Sequence, residues 1–401
     1  MRDALGPGTI LGYCTNVHAG ANLDQTVANL EQHACAVKAN VSPDEPMGVG
    51  LWLSAKTARQ LIADDRVQWF ADWLGQRGLL PYTLNGFPYG DFHSDVVKLA
   101  VYAPTWADEL RLQYTLDLAN MLAVLLGDDD EGSISTLPVG WRAVFYENDD
   151  KDAAGRMLAK LADELHALEQ RTGKLIHVCI EPEPGCLIDT AFGFVSFYED
   201  RVLPHGNEDR IRRHLRVCHD VCHSAVMFEP QEQAIETYRE AGIAIGKVQL
   251  SSAVRAVFDE NDVEQRLSVF EALKAFDEPR YMHQTVVETP SSFGRQMFAD
   301  LPEMIETEAE VIEDDDEAVR EARVHFHVPL FVEQFGPLDS TQPAVLACLD
   351  TLCGSEVRHY EVETYAWDVL PAAMQVERLS DGIAEELQWV RDVAAALGQD
   401  A

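Results

Sequence analysis

Lysine is scarce in this chain: there are 8 among 401 residues, and the 31 basic residues face 68 acidic ones, for a formal net charge of −37. A field of that sign repels nucleic acid and anionic membrane surfaces, which need basic patches for counterion release, so neither is an expected partner. No apolar run approaches the ~18 residues that span a bilayer. Residues 1–13 carry neither the basic start nor the apolar core of a secretory signal, and a cytoplasmic protein is expected. No glycine-rich dinucleotide fingerprint follows the first predicted strand, which argues against an open Rossmann sheet. Among the eight cysteines, the Cys218–Cys222 spacing fits no zinc knuckle; Cys14, Cys179, Cys218 and Cys222 lie in or beside predicted strands and read as buried reduced thiols. The acidic runs 128–131 and 313–317 read as solvated loops, and the overall acidity as a surface suited to high salt.

What the chain does have is alternation. Short β-type runs at 10–15, 49–54, 81–85, 133–136, 175–181, 215–220, 244–251 and 359–364 are separated by amphipathic stretches such as 24–39, 152–171 and 231–241. Eight strands in order, with no polar linker or repeat between them, predict an α/β fold: one (β/α)8 TIM barrel over residues 1–401. Two segments exceed what a minimal barrel needs. Residues 87–106, after the third strand, are expected to lie over the rim; residues 254–338, after the seventh, form a larger insertion with a helix, the β-like run Tyr281–Glu288, an acidic helix and His325-Phe326-His327-Val328-Pro329. Both emerge at the C-terminal face, where barrel active sites are built.

Side chains alternate across a strand, so one parity fills the barrel interior. The apolar set Ile176, Val178 and Ile180 turns His177, Cys179 and Glu181 inward. Val248 and Leu250 likewise leave Lys247, Gln249 and Ser251 inside, and Tyr360 and Val362 leave His359, Glu361 and Glu363. Asp220 points inward at the end of the sixth strand. Carboxylates therefore converge at the ends of three strands, at a cost of many kcal/mol unless a cation or shared proton compensates. A divalent ion of the manganese, magnesium, cobalt or zinc class is the expected cofactor, with Glu181, Asp220 and Glu363 as ligands and imidazole available from His223, His325 or His327. Asn85, Ser133 and Ser135 share the inward parity and are expected to bond substrate hydroxyls. Trp52, Phe87, Tyr89 and Trp367 are candidate walls. Lys247, the one inward lysine, and Trp52 are also expected to contact substrate at the rim, and so few lysines favour a neutral small polyol, sugar or cyclitol over a phosphorylated one.

At Glu181-Pro182-Glu183-Pro184, His219-Asp220-Val221-Cys222-His223, Lys247-Val248-Gln249-Leu250-Ser251 and Glu361-Val362-Glu363 the chain resembles the xylose-isomerase-like barrel superfamily of sugar isomerases, epimerases and family 2 endonucleases. That resemblance implies metal binding by Asp220, substrate contact by His223, and both metal binding and proton exchange by Glu181 and Glu363. Over most of its length, through Tyr13-Cys14-Thr15-Asn16-Val17-His18, Leu84-Asn85-Gly86-Phe87-Pro88-Tyr89-Gly90, Gly132-Ser133-Ile134-Ser135-Thr136 and Glu363-Thr364-Tyr365-Ala366-Trp367, it also resembles the EboE family of metabolite-traffic proteins, a family tied to a pathway for a small metabolite. One departure stands out. The superfamily has a seventh-strand histidine ligand where this chain has Gln249, a weaker oxygen ligand, and His327 is the expected replacement.

These readings imply a metal-dependent isomerase or epimerase. A barrel that binds a metabolite without chemistry is the alternative, and Gln249 is its best hint. A nuclease like the family 2 endonucleases would need a basic groove, which the charge balance opposes. A homo-oligomer is compatible with all three.

Overall fold

The computed structural model describes residues 1–400 apart from 64, 128, 130, 146, 290–293, 310 and 313–318. Seven parallel strands come first: β1 (Ile10–Cys14), β2 (Met47–Trp52), β3 (Leu79–Asn85), β4 (Glu131–Thr136), β5 (Leu175–Ile180), β6 (Leu215–Asp220) and β7 (Ile245–Leu250). The chain then makes a second sheet from β8 (Ser252–Val257), β9 (Thr285–Glu288), β10 (Arg295–Phe298), β11 (Glu321–Val328), β12 (Gln334–Phe335) and β13 (Leu338–Ser340). It returns as β14 (His359–Val362), which pairs with both β7 and β1 and closes an eight-stranded barrel. Every barrel strand lies where alternation placed it.

Helices between the strands form the outer layer, and the longest shows why. Asn148–Thr172 begins with Asp149 and Asp150 in its first turn, buries Leu158, Leu161, Leu165 and Leu168 at helical spacing, and carries Arg171 in its last turn. Gly173 ends it at φ 73°, the left-handed turn that glycine adopts without strain.

The insertion is more ordered than the sequence suggested. Its strands are antiparallel in the order β10-β9-β11-β8-β13-β12, with helices Val263–Leu273 and Leu301–Glu308 alongside. β8 starts one residue after β7 ends, so the barrel hands the chain directly to the second sheet. No helix among the described residues is long and apolar enough to cross a membrane. All eight cysteines are free thiols.

The barrel interior is filled in layers, and here several expected site residues find another role. Ser133 sits low, donating to Thr83 Oγ1 at 2.7 Å and bonding His359 Nδ1 at 2.9 Å. One layer up, the buried Lys247 ammonium meets the Glu361 carboxylate at 2.5 Å and donates to Ser135 at 3.2 Å. A methyl at Gly50 would overlap that carboxylate, so glycine makes the room the ion pair occupies. Burial alone would lower the Lys247 pKa, but Glu361 pushes it above the ordinary range and keeps the ammonium charged. Ser133, Ser135 and Lys247 are thus interior packing groups rather than substrate contacts. Parity placed them inward correctly; their height along the strand puts them beneath the rim.

Glu131 departs from the expected solvated loop. It opens β4 and accepts from Arg216 at 3.0 Å and Arg358 at 2.8 Å, with His177 at 3.2 Å. Burial acts to raise its pKa, but His177 and Arg216 hold it well below the carboxylate range. Asp129 pairs with Arg2 at 2.6 Å. Residues 128, 130 and 313–317 of the two acidic runs lie outside the described residues.

Candidate metal centre

Three acids meet at the C-terminal mouth of the barrel. Glu181 follows β5, Asp220 ends β6 and Glu363 follows β14; their ligand atoms lie within 4.8 Å of one another. Asp220 also caps the helix Val221–Val226, accepting from the His223 amide at 2.9 Å. The cap explains the Asp-x-x-His spacing, because the residue three positions on returns to the capping carboxylate, and His223 Nδ1 lies 3.9 Å from Asp220 Oδ1.

The fourth group arrives from the second sheet. β11 pairs regularly with β8 from Glu321 to Val324, then shifts register before Val328. His325 and His327 sit in that irregular stretch, which aims both side chains at the barrel mouth. His327 Nδ1 donates to the Glu363 carbonyl at 2.6 Å, leaving Nε2 as a lone pair, and His327 shares a cluster within 4.8 Å with Asp220 and His223. Burial draws His327 down to about 4, so it is neutral near pH 7.

Glu181 Oε2, Asp220 Oδ2 and His327 Nε2 are buried without any hydrogen-bond partner. Orphaned acceptors in two neighbouring clusters that share Asp220 are costly unless a cation satisfies them. The pKa shifts follow from the same crowding. Burial, then Glu363 and Asp220, push Glu181 well above the carboxylate range; burial, then Asp220 and Glu361, push Glu363 up to about 8. Burial works against Asp220 ionising, yet His223, His327, the His223 amide and the Ser251 hydroxyl hold its pKa below the usual value. The donor set fits a divalent ion.

Gln249 is at the centre but does not present its oxygen to it. Its Nε2 donates to Glu363 Oε2, and its Oε1 accepts from Cys218 Sγ at 2.7 Å. With both amide ends engaged it anchors Glu363, a correction to its reading as a ligand. Asn16 and Asn85 donate to Glu363 Oε1 at 2.7 and 3.1 Å, so three amides fix that carboxylate. Asn16 was not anticipated; it precedes no strand end and its position follows from the short 3-10 turn after β1.

A second cluster lies alongside. Glu183, His223 and His325 also place ligand atoms within 4.8 Å of one another. His223 Nδ1 donates to the Pro182 carbonyl and His325 Nδ1 to Gln284 Oε1, and their Nε2 atoms face each other at 3.1 Å. One must carry a proton, or the two must share a cation. Glu183 accepts from Tyr102 at 2.7 Å and Gln284 at 3.0 Å. It follows Glu181 at the same parity, the signal that could have marked it.

Above these groups opens a pocket of about 540 Å³, walled by Phe87, Phe92, Tyr102, Tyr281 and Tyr365 and floored by Glu181, Glu363 and His223. Segment 87–106 does lie over the rim, and the Val97 and Lys98 amides bond to the Arg280 carbonyl of the insertion. Lys98, the basic residue of the described lining, is paired with Asp300. Trp52 stands behind the wall, donating to the Pro88 carbonyl at 3.0 Å and packing on Phe92, so its expected substrate contact is not made. Tyr89 packs on Tyr114, and Trp367 donates to Glu386. Of the four expected walls, only Phe87 faces the pocket.

No protein-family model matches the chain, and no curated protein matches it. Solved structures do. A D-tagatose 3-epimerase-like protein matches at TM-score 0.51 and 10% identity over 98% of this chain and 99% of its own. A xylose isomerase-like TIM barrel protein from Mycobacterium smegmatis, in complex with magnesium, matches at TM-score 0.51 and 12% identity over 99% of both chains. The closed parallel barrel described above is the fold of the xylose-isomerase-like TIM barrels, and this chain shares it.

Proposed function

We propose that the chain is a divalent-metal-dependent isomerase or epimerase of a neutral sugar or cyclitol, with Glu181, Asp220, Glu363 and His327 as the metal ligands. The carrying observation is the set of three unpartnered, buried acceptors on Glu181, Asp220 and His327, which belong to two clusters sharing Asp220 at the barrel mouth. A bound divalent ion of the manganese, magnesium, cobalt or zinc class supplies Lewis-acid polarisation of a carbonyl and its neighbouring hydroxyl. Glu181 takes a proton from the carbon beside the carbonyl. Glu363, held by three amides, returns one on the opposite face. His223 reaches the pocket and orients hydroxyls, Asn85 lines it while positioning Glu363, and the aromatic walls exclude water. The paired Lys98 leaves no free cation in the described lining for a phosphate, which favours an uncharged substrate and disfavours the nuclease reading. The epimerase-like and magnesium-bound neighbours support the reading by analogy of fold. The EboE resemblance adds that the substrate is a small metabolite of a biosynthetic or traffic pathway.

The test is solvent-deuterium incorporation, by NMR, into a panel of ketoses and cyclitols with manganese present. The wild type should label at least one compound that binds. Glu181→Gln and Glu363→Gln should each slow labelling by ~10²–10⁴ while shifting ligand affinity far less. If every compound that binds keeps its carbon-bound hydrogens, the barrel is a metabolite carrier and the isomerase reading fails.

A further inference from the structure

On the outside of the barrel, before the starts of β5 and β6 and so at the opposite ends of those strands from the rim acids, lies a group no part of the proposed reaction uses. His166 and Glu169 stand three residues apart on one face of the helix Asn148–Thr172, and His214 ends the neighbouring helix Glu208–His214. One ligand atom from each lies within 4.8 Å of the other two. We propose that these three residues form a second metal site, a zinc-class staple between adjacent helices of the outer layer.

Hydrogen bonding fixes the donor atoms. His214 Nδ1 donates to the Ile176 carbonyl at 2.9 Å, so in neutral His214 the lone pair is on Nε2. That nitrogen faces Glu169 Oε2 at 3.3 Å, yet it makes no hydrogen bond, and His214 is fully buried. Lone pair thus meets carboxylate oxygen at the separation typical of two ligands on one small ion. His166 Nδ1 is a second buried nitrogen with no partner. Burial holds His214 below the ordinary histidine range, which keeps it a neutral ligand.

Two imidazoles and one carboxylate, with a position left for water, suit zinc and its borderline neighbours better than magnesium or calcium. His166 is partly exposed, which gives the ion an entry path. Arg213 also binds Glu169 bidentately, Nε donating to Oε2 and Nη2 to Oε1, so the carboxylate is shared with a fixed positive charge. That charge sets the affinity: neutralising Arg213 should tighten the site.

Zinc titration by calorimetry on the full chain tests this, in a background carrying Asp220→Ala, Glu363→Ala and His325→Ala, which breaks every candidate metal group at the rim. About one zinc per chain should still bind, and should be lost on adding His166→Ala, a surface change that leaves the fold intact. Arg213→Gln should tighten binding several-fold. Cobalt substituted at the site should show a visible band that disappears with His166→Ala. Zinc uptake unaffected by His166→Ala would overturn the proposal. So would an NMR titration showing His214 as an imidazolium at neutral pH without metal, since the Glu169 contact would then be an ordinary ion pair. Neither outcome depends on whether the rim performs isomerisation.

Discussion

Replacing Lys247 by methionine isolates the charge balance beneath the rim. The ammonium and the Glu361 carboxylate are both fully buried and 2.5 Å apart. At an effective dielectric near 20 the gross attraction is on the order of 6–7 kcal/mol, but that is not the expected loss. Without the cation Glu361 will take up a proton, since a neutral acid is the cheaper buried species. At pH 7, placing a proton on a glutamate of ordinary pKa about 4.3 costs about 1.36 × 2.7, or about 3.7 kcal/mol. At pH 5 the same step costs about 1 kcal/mol. In the variant the folded pKa of Glu361 lies above the unfolded one, so its contribution is present below pH ~4.3 and is lost as pH rises. Lys247→Met should therefore be destabilised relative to wild type by about 3–4 kcal/mol at pH 7 and about 1 at pH 5. Urea unfolding of both proteins at pH 5, 6 and 7, at one fixed metal concentration, measures the difference. Adding Glu361→Gln should flatten its pH dependence. A penalty that is constant with pH, or below about 1 kcal/mol at pH 7, would refute the reasoning.

Elemental analysis should find rim-bound divalent metal in the wild type and none at the rim when Asp220 and Glu363 are both alanine; a rim that keeps its metal in that double variant contradicts the ligand set. With Glu363 pushed up to about 8 and Glu181 also raised well above the carboxylate range, metal binding must displace protons, so apparent manganese affinity should climb from pH 6 to pH 8; calorimetry showing a flat profile would argue against carboxylate ligation. In metal-free protein those same raised pKa values favour the folded state at low pH and lose that contribution as pH rises through about 8, so added manganese should raise the melting temperature more at pH 8 than at pH 6. The net charge of −37 predicts a melting temperature that rises steadily with KCl; a flat or falling trend would point to charges already paired locally.

Alternation carried the sequence reading a long way because a closed barrel obeys it strictly. Eight strands and the inward parity of Glu181, Asp220 and Glu363 follow from the apolar residues between them. Parity does not report height, however, and that is why Ser133 and Lys247 were placed at the rim when they sit lower in the interior. Nor does it report what a neighbour already occupies: Gln249 faces inward as expected, but Cys218 and Glu363 take both ends of its amide. The second sheet was legible only in pieces, as a β-like run and a His-x-His segment. Its pairing joins residues far apart in the chain, such as Ala322 with both Ala256 and Val287, and no local pattern encodes such partners. Asn16 and Glu183 lie beyond strand ends, where neither period applies.

The bend in β11 has a consequence for how the molecule is assembled. On the proposed ligand set the barrel strands contribute acids alone, and the imidazole of His327 comes from a strand hydrogen-bonded into a different sheet. Neither unit holds a complete donor set, so the ion is bound tightly only when the two are docked in register. Metal occupancy then reports on the mature fold: a chain with a finished barrel and an undocked sheet would have the three clustered acids without the imidazole, and would hold a cation less tightly. Grafting or trimming the 252–340 segment is therefore not a matter of exchanging a cover over a self-sufficient site, as it is for barrels whose ligands all lie on the eight strands. It removes part of the chemistry.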